Sequence, residues 1–317
     1  MVEMERLEVV EGALPALLEG FRHDCELRGL TRETVDHYTW CMEHFLEFLR
    51  AQGTRYDQID LLTLTSYLEL LRSRSARYKT VENVYAAISA FYEYLVFEGR
   101  IATNVVLPFR KRYLRRYKDG SEQMERRLLS VEEMSRLVNS IIDPRDRAIA
   151  LVFAKTGIRR RELLNLDVDR IDWRDDSIRL KPTPKRSNRV VFFDEECAVA
   201  LRRWLAYRER LAPKTPALFT SYQSLTRLDR SSLYSAVTKY AEALGFHKPS
   251  SLRLEDHFGP HCFRHYFTTF LLRNGMPREY VKELRGDSRR EAIDIYNHID
   301  REELRKNYLA CVPKLRV

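Results

Sequence analysis

Apolar side chains recur every three or four positions through the first hundred residues, and this spacing is typical of helices packed on one another. After Thr31, a plausible helix N-cap, such a stripe continues until Gly53. The same spacing predicts further helices over Leu61–Arg72 and Thr80–Phe97. We therefore predict a small helical bundle over residues 11–107. The stripe that opens it contains Val35, Tyr38, Met42, Phe45 and Leu49.

The helical spacing stops in the segment from Pro108 to Arg127, where basic side chains alternate with aromatic ones. We interpret residues 108–127 as a linker between domains that follows a phosphate backbone, because nucleic-acid grooves combine cations with stacking rings. The alternative is a linker that only connects the two domains and does not bind nucleic acid. With the basic patch before the third helix, the candidate DNA-binding residues are Arg72, Arg77, Lys79, Arg110, Lys111, Arg112, Arg115 and Arg116.

The 317-residue chain carries a formal net charge of +9, with an acidic excess before the linker and a basic excess from there on. This distribution favours a polyanionic partner over a merely solvated surface. The 5 cysteines are scattered, which is typical of reduced thiols in a cytoplasmic protein and gives no zinc knuckle. The longest apolar run, Ala148 to Ala154, is too short to cross a membrane. We expect a cytoplasmic protein with no membrane partner.

A second domain is predicted over residues 128–317. It begins at a capping box formed by Ser130 and Glu133. Alternating, β-rich segments over Ile171–Lys181 and Arg189–Asp194 predict a small antiparallel sheet, and helical spacing returns afterwards. The expected fold class is mainly α with a small antiparallel β-sheet.

Nucleotide-binding motifs are absent, because the chain has neither a GxxxxGK[ST] nor a GxGxxG pattern. His257, His261 and His265 lie four residues apart and could imitate a metal site. Pro260 interrupts that stretch and no carboxylate completes an HExxH motif. We therefore expect no metal and no cofactor.

A set of cations around a candidate tyrosine suggests phosphodiester chemistry. Arg159 follows a glycine break, and His261 and Arg264 are three residues apart on one helix face. Two guanidinium groups can hold the non-bridging oxygens of a phosphate and stabilise the charge of its transition state. Lys185, at a hairpin tip, could protonate the leaving 5′ oxygen, while His261 assists. The hydroxyl of Tyr296 could attack the phosphorus.

In the order and spacing of these residues, the chain resembles a tyrosine recombinase of the phage-integrase and Xer family. Gly29-Leu30-Thr31 through Tyr38 resembles the opening helix of the family's core-binding domain. Thr156-Gly157-Ile158-Arg159 is similar to its first arginine segment, and His261-Cys262-Phe263-Arg264-His265 resembles its second box. Leu284-Arg285-Gly286-Asp287 with Tyr296 matches its third box and nucleophile, and Arg-Gly-Asp there is similar to archaeal integrases.

The resemblance implies a core-binding domain and a catalytic domain that clamp double-stranded DNA. It also implies a 3′-phosphotyrosyl intermediate, and strand exchange in a homotetramer built from monomers or dimers. Arg159 and Arg264 would bind the scissile phosphate, Lys185 would be the general acid, His261 the assisting acid or base, and Tyr296 the nucleophile.

The chain departs from the family pattern at two of these positions. The spacing around Lys185 leaves Lys181 as an alternative general acid. Asp287, the sixth candidate catalytic residue, stands where the family usually has His or Trp, and an ionised carboxylate would repel phosphate. Asp287 could instead cap the helix that bears Tyr296, since Ser288 and Glu291 fit a capping box.

Other readings stay open at this point. In the family, a C-terminal helix such as Glu302–Leu309 often docks on a neighbouring subunit, and packing on its own domain is the alternative. Three other classes of protein remain as hypotheses. They are a DNA-binding protein whose inactive site does not cleave, a type IB topoisomerase, and a metallohydrolase built on the three histidines.

Overall fold

The computed structural model of the chain describes residues 2–114, 127–181, 190–251, 253–287 and 299–317, with side chains from Leu14 onward. The chain divides into two compact units, residues 1–121 and 122–317. Both are mainly helical, and a small antiparallel sheet lies in the second unit, so the predicted fold class is confirmed. No helix in the described ranges is long and apolar enough to cross a membrane.

The first unit packs its helices around buried aromatic side chains such as Phe45 and Phe91. The helix predicted after Thr31 begins at Arg32, and those predicted near Leu61 and Thr80 are also present. The N-terminal helix was not predicted. The helices are α1 (Val2–Leu27), α2 (Arg32–Ala51), α3 (Leu61–Ser73), α4 (Tyr78–Phe97) and α5 (Val106–Tyr113), with a 3₁₀ turn at Tyr56–Gln58.

Helix α5 corrects the start of the predicted linker, because residues 108–113 are helical. Phe109 is buried and stacks on Tyr85 of α4 with ring centroids 5.3 Å apart. The side chain of Asn104 accepts a hydrogen bond from the Val106 N–H at 3.0 Å and donates one to the Ser89 carbonyl at 2.9 Å. These contacts make the basic residues of α5 part of the first unit.

The second unit is built around α7, which is buried along most of its length and packs against α9 and α11. The capping box of Ser130 and Glu133 is present at the start of α6. The helices are α6 (Val131–Ser140), α7 (Pro144–Thr156), α8 (Arg160–Leu164), α9 (Glu195–Leu211), α10 (Arg230–Ala243), α11 (Pro260–Arg273), α12 (Arg278–Arg285) and α13 (Arg301–Cys311), with 3₁₀ turns at Val168–Arg170 and Leu254–Asp256.

The strands are β1 (Ile171–Asp172), β2 (Ser177–Arg179) and β3 (Val190–Phe192). They pair antiparallel in the order β1-β2-β3, with Ile178 opposite both Ile171 and Val191. They lie within the predicted β segments but are shorter.

The C-terminal tail packs on its own unit. Leu315 is buried in the core beside α6, and the Ser135 hydroxyl donates to the Leu315 carbonyl at 2.6 Å. At the end of α7, the buried Lys155 ammonium pairs with Asp194 at 2.8 Å and donates to the Pro313 carbonyl at 2.6 Å. The tail of the single chain thus packs on its own domain, and docking on a neighbouring subunit stays an alternative.

Candidate active site

Arg159 is held at the N-terminus of α8 by Glu162. Helix α7 ends at Gly157, whose left-handed backbone (φ 59°) turns the chain so that Arg159 becomes the N-cap of α8. The Glu162 carboxylate accepts from the Arg159 backbone N–H at 2.6 Å and from its Nη1 at 3.2 Å. Glu162 therefore fixes the position of the Arg159 guanidinium, while the Arg159 side chain remains 37% exposed.

Arg264 is more deeply placed than Arg159, since it is 7% exposed. It lies on α11, where its Nη1 donates to the Gly157 carbonyl at 2.7 Å and its Nη2 to the Arg285 carbonyl at 3.0 Å. Carbonyl oxygens satisfy the donors of a buried guanidinium without neutralising its charge. These carbonyl contacts therefore leave the positive charge of Arg264 in place for an anion.

The two arginines converge on the segment that ends α12. Arg159 Nη1 lies 3.4 Å from the Arg285 carbonyl, which Arg264 also uses. Gly286 is left-handed (φ 61°) and ends α12, so that the carbonyl before it and the Asp287 side chain after it both face the arginines. Residues from distant parts of the chain thus form one cationic site.

Asp287 lies between these guanidinium groups. Its Oδ1 is 3.2 Å from Arg264 Nη2 and 3.6 Å from Arg159 Nη2, and its Oδ2 is 3.0 Å from Arg285 Nε. A single carboxylate oxygen of Asp287 therefore lies close to the guanidinium groups of both Arg159 and Arg264. The alternative role for Asp287, capping of the next helix, concerns residues 288–298, which lie outside the described residues.

The other catalytic candidates are less completely placed. His261 lies three residues before Arg264 on α11; its ring is exposed and meets His265 edge to face with centroids 4.9 Å apart. Lys185 and Tyr296 both lie outside the described residues.

Lys181, the alternative general acid, is engaged elsewhere. Its Nζ lies 2.7 Å from Asp167 Oδ2, and Arg227 pairs with the other oxygen of that carboxylate. Burial of Asp167 opposes its ionisation, but the two cations hold the pKa of its carboxyl below the usual value. Among the described contacts, Lys181 thus belongs to a separate ion-pair cluster.

The candidate DNA-binding residues are divided by exposure. Arg72, Arg77, Lys111 and Arg112 are exposed, and Arg110 is half-buried. Lys79 is exposed and paired with Glu82 at 2.7 Å. Arg115 and Arg116 lie outside the described residues.

Sequence reasoning quoted Gly157, Glu162 and Arg285 within the motif segments but gave none of them a role in the site. The signal for Glu162 was its place three residues after an N-cap, where a carboxylate reaches back to a backbone N–H. Within the described residues, no three His, Cys, Asp or Glu side chains are grouped to hold a metal ion.

Comparison with known proteins decides the family. The model of the phage integrase family matches residues 127–303, and that of the phage integrase N-terminal SAM-like domain matches residues 17–98. The chain belongs to the phage integrase family of tyrosine recombinases. This confirms the predicted enzyme class.

Curated relatives match along nearly the whole chain. The tyrosine recombinase XerC of Proteus mirabilis is 29% identical and covers 99% of both chains. That of Haemophilus influenzae is 26% identical over 91% of this chain and 94% of its own.

Solved structures show the same fold. The Tn1549 transposon integrase in complex with circular intermediate DNA has a TM-score of 0.68 at 17% identity, covering 92% of this chain and 98% of its own. The XerH site-specific recombinase bound to palindromic difH substrate has a TM-score of 0.65 at 20% identity, covering 88% and 80%.

Proposed function

We propose that this recombinase cleaves and rejoins double-stranded DNA at a specific site through a 3′-phosphotyrosyl intermediate, without metal or ATP. The observation that carries the proposal is the convergence of Arg159 and Arg264 on one anionic oxygen, that of Asp287. A non-bridging phosphate oxygen has the same charge and the same hydrogen-bonding needs as that carboxylate oxygen.

In the proposed reaction, the Tyr296 hydroxyl oxygen forms a bond to phosphorus as the bond from phosphorus to the 5′ oxygen breaks. The two arginines stabilise the charge that grows on the non-bridging oxygens. Lys185 donates the proton that the 5′ oxygen takes up, and His261 assists proton transfer. Religation reverses these steps, so the phosphotyrosyl bond stores the energy of the broken ester.

DNA binding by this chain is supported by its basic charge and by the exposed cations of the first unit. The solved neighbours include a transposon integrase and a recombinase bound to DNA. We propose that Arg72, Arg77, Lys79, Lys111 and Arg112 contact phosphates, and that recombination occurs in a homotetramer on two sites.

The test of cleavage is a covalent-adduct assay. A duplex is first selected from a random pool by Tyr296→Phe protein, then nicked so that cleavage cannot be reversed, and incubated with the parent chain in EDTA. We expect a covalent protein–DNA adduct with the parent chain and none with Tyr296→Phe. Tyr207→Phe is the matched control, because Tyr207 is an exposed tyrosine of the second unit that lies outside the site.

Either of two results would overturn the proposal: no adduct with the parent chain, or an adduct that persists in Tyr296→Phe. The first result, combined with salt-sensitive binding of the same duplex, would identify a DNA-binding protein that does not cleave. Relaxation of supercoiled plasmid irrespective of sequence would identify a topoisomerase.

The general acid is tested separately with a duplex in which sulfur replaces the bridging 5′ oxygen. A thiolate leaves without protonation, so loss of the acid is harmless on this substrate. We expect Lys185→Ala to be inactive on the oxygen duplex and active on the sulfur one. Lys181→Ala is expected to cleave both, because Lys181 is paired with Asp167. The reverse pattern would assign the role to Lys181.

A further inference from the structure

We infer that Asp287 is an internal anion that occupies the phosphate position between Arg159 and Arg264 until substrate phosphate displaces it. The inference rests on the proposed function, because it concerns the same pair of arginines. It assigns to Asp287 a role in competition with phosphate, instead of the catalytic and helix-capping roles considered from the sequence.

The first argument is geometric. Asp287 Oδ1 lies within 3.6 Å of one terminal nitrogen, Nη2, of each arginine. A phosphate oxygen that approached these nitrogens would enter the space of the carboxylate oxygen. Two anions at such a distance repel each other, so phosphate and carboxylate compete for one position.

The second argument is that neither arginine depends on Asp287 for its placement. Arg159 is held by Glu162 through both its backbone N–H and its guanidinium. Arg264 is held by the carbonyls of Gly157 and Arg285. Because these anchors remain when the carboxylate leaves, its removal uncovers a preformed cation pair.

The third argument is that Asp287 has a partner to which it can withdraw. Its second oxygen lies 3.0 Å from Arg285 Nε. The Asp287 side chain is 32% exposed, so it has room to turn its Oδ1 away from the two arginines while its Oδ2 stays beside the buried Arg285 Nε. A carboxylate that moves away from the site can therefore keep one cation and avoid standing unpaired.

An anion that binds between the two arginines must displace the Asp287 carboxylate, which costs free energy. An isolated phosphate has no other contacts to offset this cost. A phosphate in bound DNA is held in place by the other contacts of the duplex, and these contacts can offset that cost. Asp287 therefore discriminates against anions that are not positioned by a correctly bound duplex.

The test uses inorganic phosphate as the probe, titrated calorimetrically into the full chain at constant ionic strength. Asp287→Asn keeps the size of the side chain and removes its charge. We expect it to bind phosphate about tenfold more tightly than the parent chain, which is the lower range for regaining one charge-assisted hydrogen bond. Asp287→Ser provides a second neutral variant and is expected to show the same gain.

Two controls localise the effect. Asp172→Asn also removes one negative charge from the second unit, but Asp172 pairs with Arg179 at 3.1 Å instead of with the site. We expect no gain in affinity for this variant. In the double variant Arg159→Gln, Asp287→Asn, the gain is expected to disappear, because one of the two guanidinium groups is missing.

The inference is overturned if both neutral variants of Asp287 bind phosphate within twofold of the parent, or if the gain survives in the double variant. The titration needs neither DNA nor Tyr296, so it is independent of the adduct assay. An absent adduct refutes the proposed cleavage alone, and an unchanged phosphate affinity refutes the displacement alone.

Discussion

Substitution of Gly157 by alanine tests how the backbone builds the arginine site. Gly157 has φ 59°, and a Cβ added there would lie 2.3 Å from Cδ1 and 2.7 Å from Cγ of Phe267. Carbon atoms pack at about 3.5–4.0 Å, so the Phe267 ring must move by about 1 Å or more. The ring is buried in the core between α11 and α13, where such a shift disturbs other side chains.

The expected cost has two parts. A non-glycine residue in the left-handed region costs about 1–2 kcal/mol, and overpacking of a core costs about 1–3 kcal/mol. Gly157→Ala should therefore lower the free energy of unfolding of the second unit by about 2–5 kcal/mol. Because the Gly157 carbonyl accepts from Arg264, the variant should also slow adduct formation.

The assay is urea unfolding followed by the fluorescence of Trp204, which is buried in the second unit. Gly245→Ala is the matched control, since Gly245 has φ 74° and no atom within 4 Å of an added Cβ. It should show the conformational cost alone, about 1–2 kcal/mol. In a Phe267→Leu background, the cost of Gly157→Ala should fall by about 1–3 kcal/mol, because the smaller side chain can yield.

The reasoning is refuted if Gly157→Ala costs no more than Gly245→Ala, or if Phe267→Leu leaves its cost unchanged. In either case, contact with the ring would not be what restricts this position to glycine.

Three further predictions concern the described side chains. Leu315→Ala should cost about 2–5 kcal/mol in urea unfolding, because the tail is anchored in the core, and a cost below about 1 kcal/mol would contradict that anchoring. Glu162→Gln should retain the fold by circular dichroism but slow adduct formation about tenfold, as one charged contact to Arg159 is lost; an unchanged rate would contradict its positioning role. Burial raises the pKa of Tyr67 to about 12. The unfolded chain releases this proton near pH 10, so Tyr67 should contribute a fall in stability of up to about 3 kcal/mol between about pH 10 and 12. Burial also raises the pKa of Tyr85 and of Tyr92, so Tyr67→Phe should reduce the fall measured by pH-dependent unfolding by the share of Tyr67 alone, and an unchanged fall would contradict the prediction.

The helices that were predicted correctly have long, regular apolar stripes, as α2 and α4 do. Helix α5 was missed because Pro108 and three consecutive basic side chains break the apolar spacing in its eight residues, of which two are buried, Val106 and Phe109. In α1, Pro15 interrupts the pattern that would indicate a helix. Local spacing therefore predicts an element well only where one face carries most of the apolar residues.

The site was only partly predictable for a related reason. Arg159 and Arg264 could be singled out from a glycine break and from spacing on one helix face. Their main acceptors include the backbone carbonyls of Gly157 and Arg285. Every residue has a backbone carbonyl, so the sequence does not indicate which ones accept from the arginines. The charge of Asp287 was evident from the sequence, but its position between the guanidinium groups depends on the turn at Gly286.

The chemistry of these acceptors explains how a buried arginine can remain ready for an anion. A carboxylate on Arg264 both orients the guanidinium and neutralises it, whereas a carbonyl orients it and leaves the charge in place. Arg264 uses two carbonyls for orientation, and its contact with Asp287 is at 3.2 Å, longer than either carbonyl contact. The orientation of Arg264 therefore rests on groups that stay when an anion binds, and its neutralisation rests on a half-exposed side chain that can leave. Carbonyl groups hold Arg264 in place and the Asp287 carboxylate neutralises its charge. Phosphate can therefore replace the carboxylate while the position of the guanidinium stays the same.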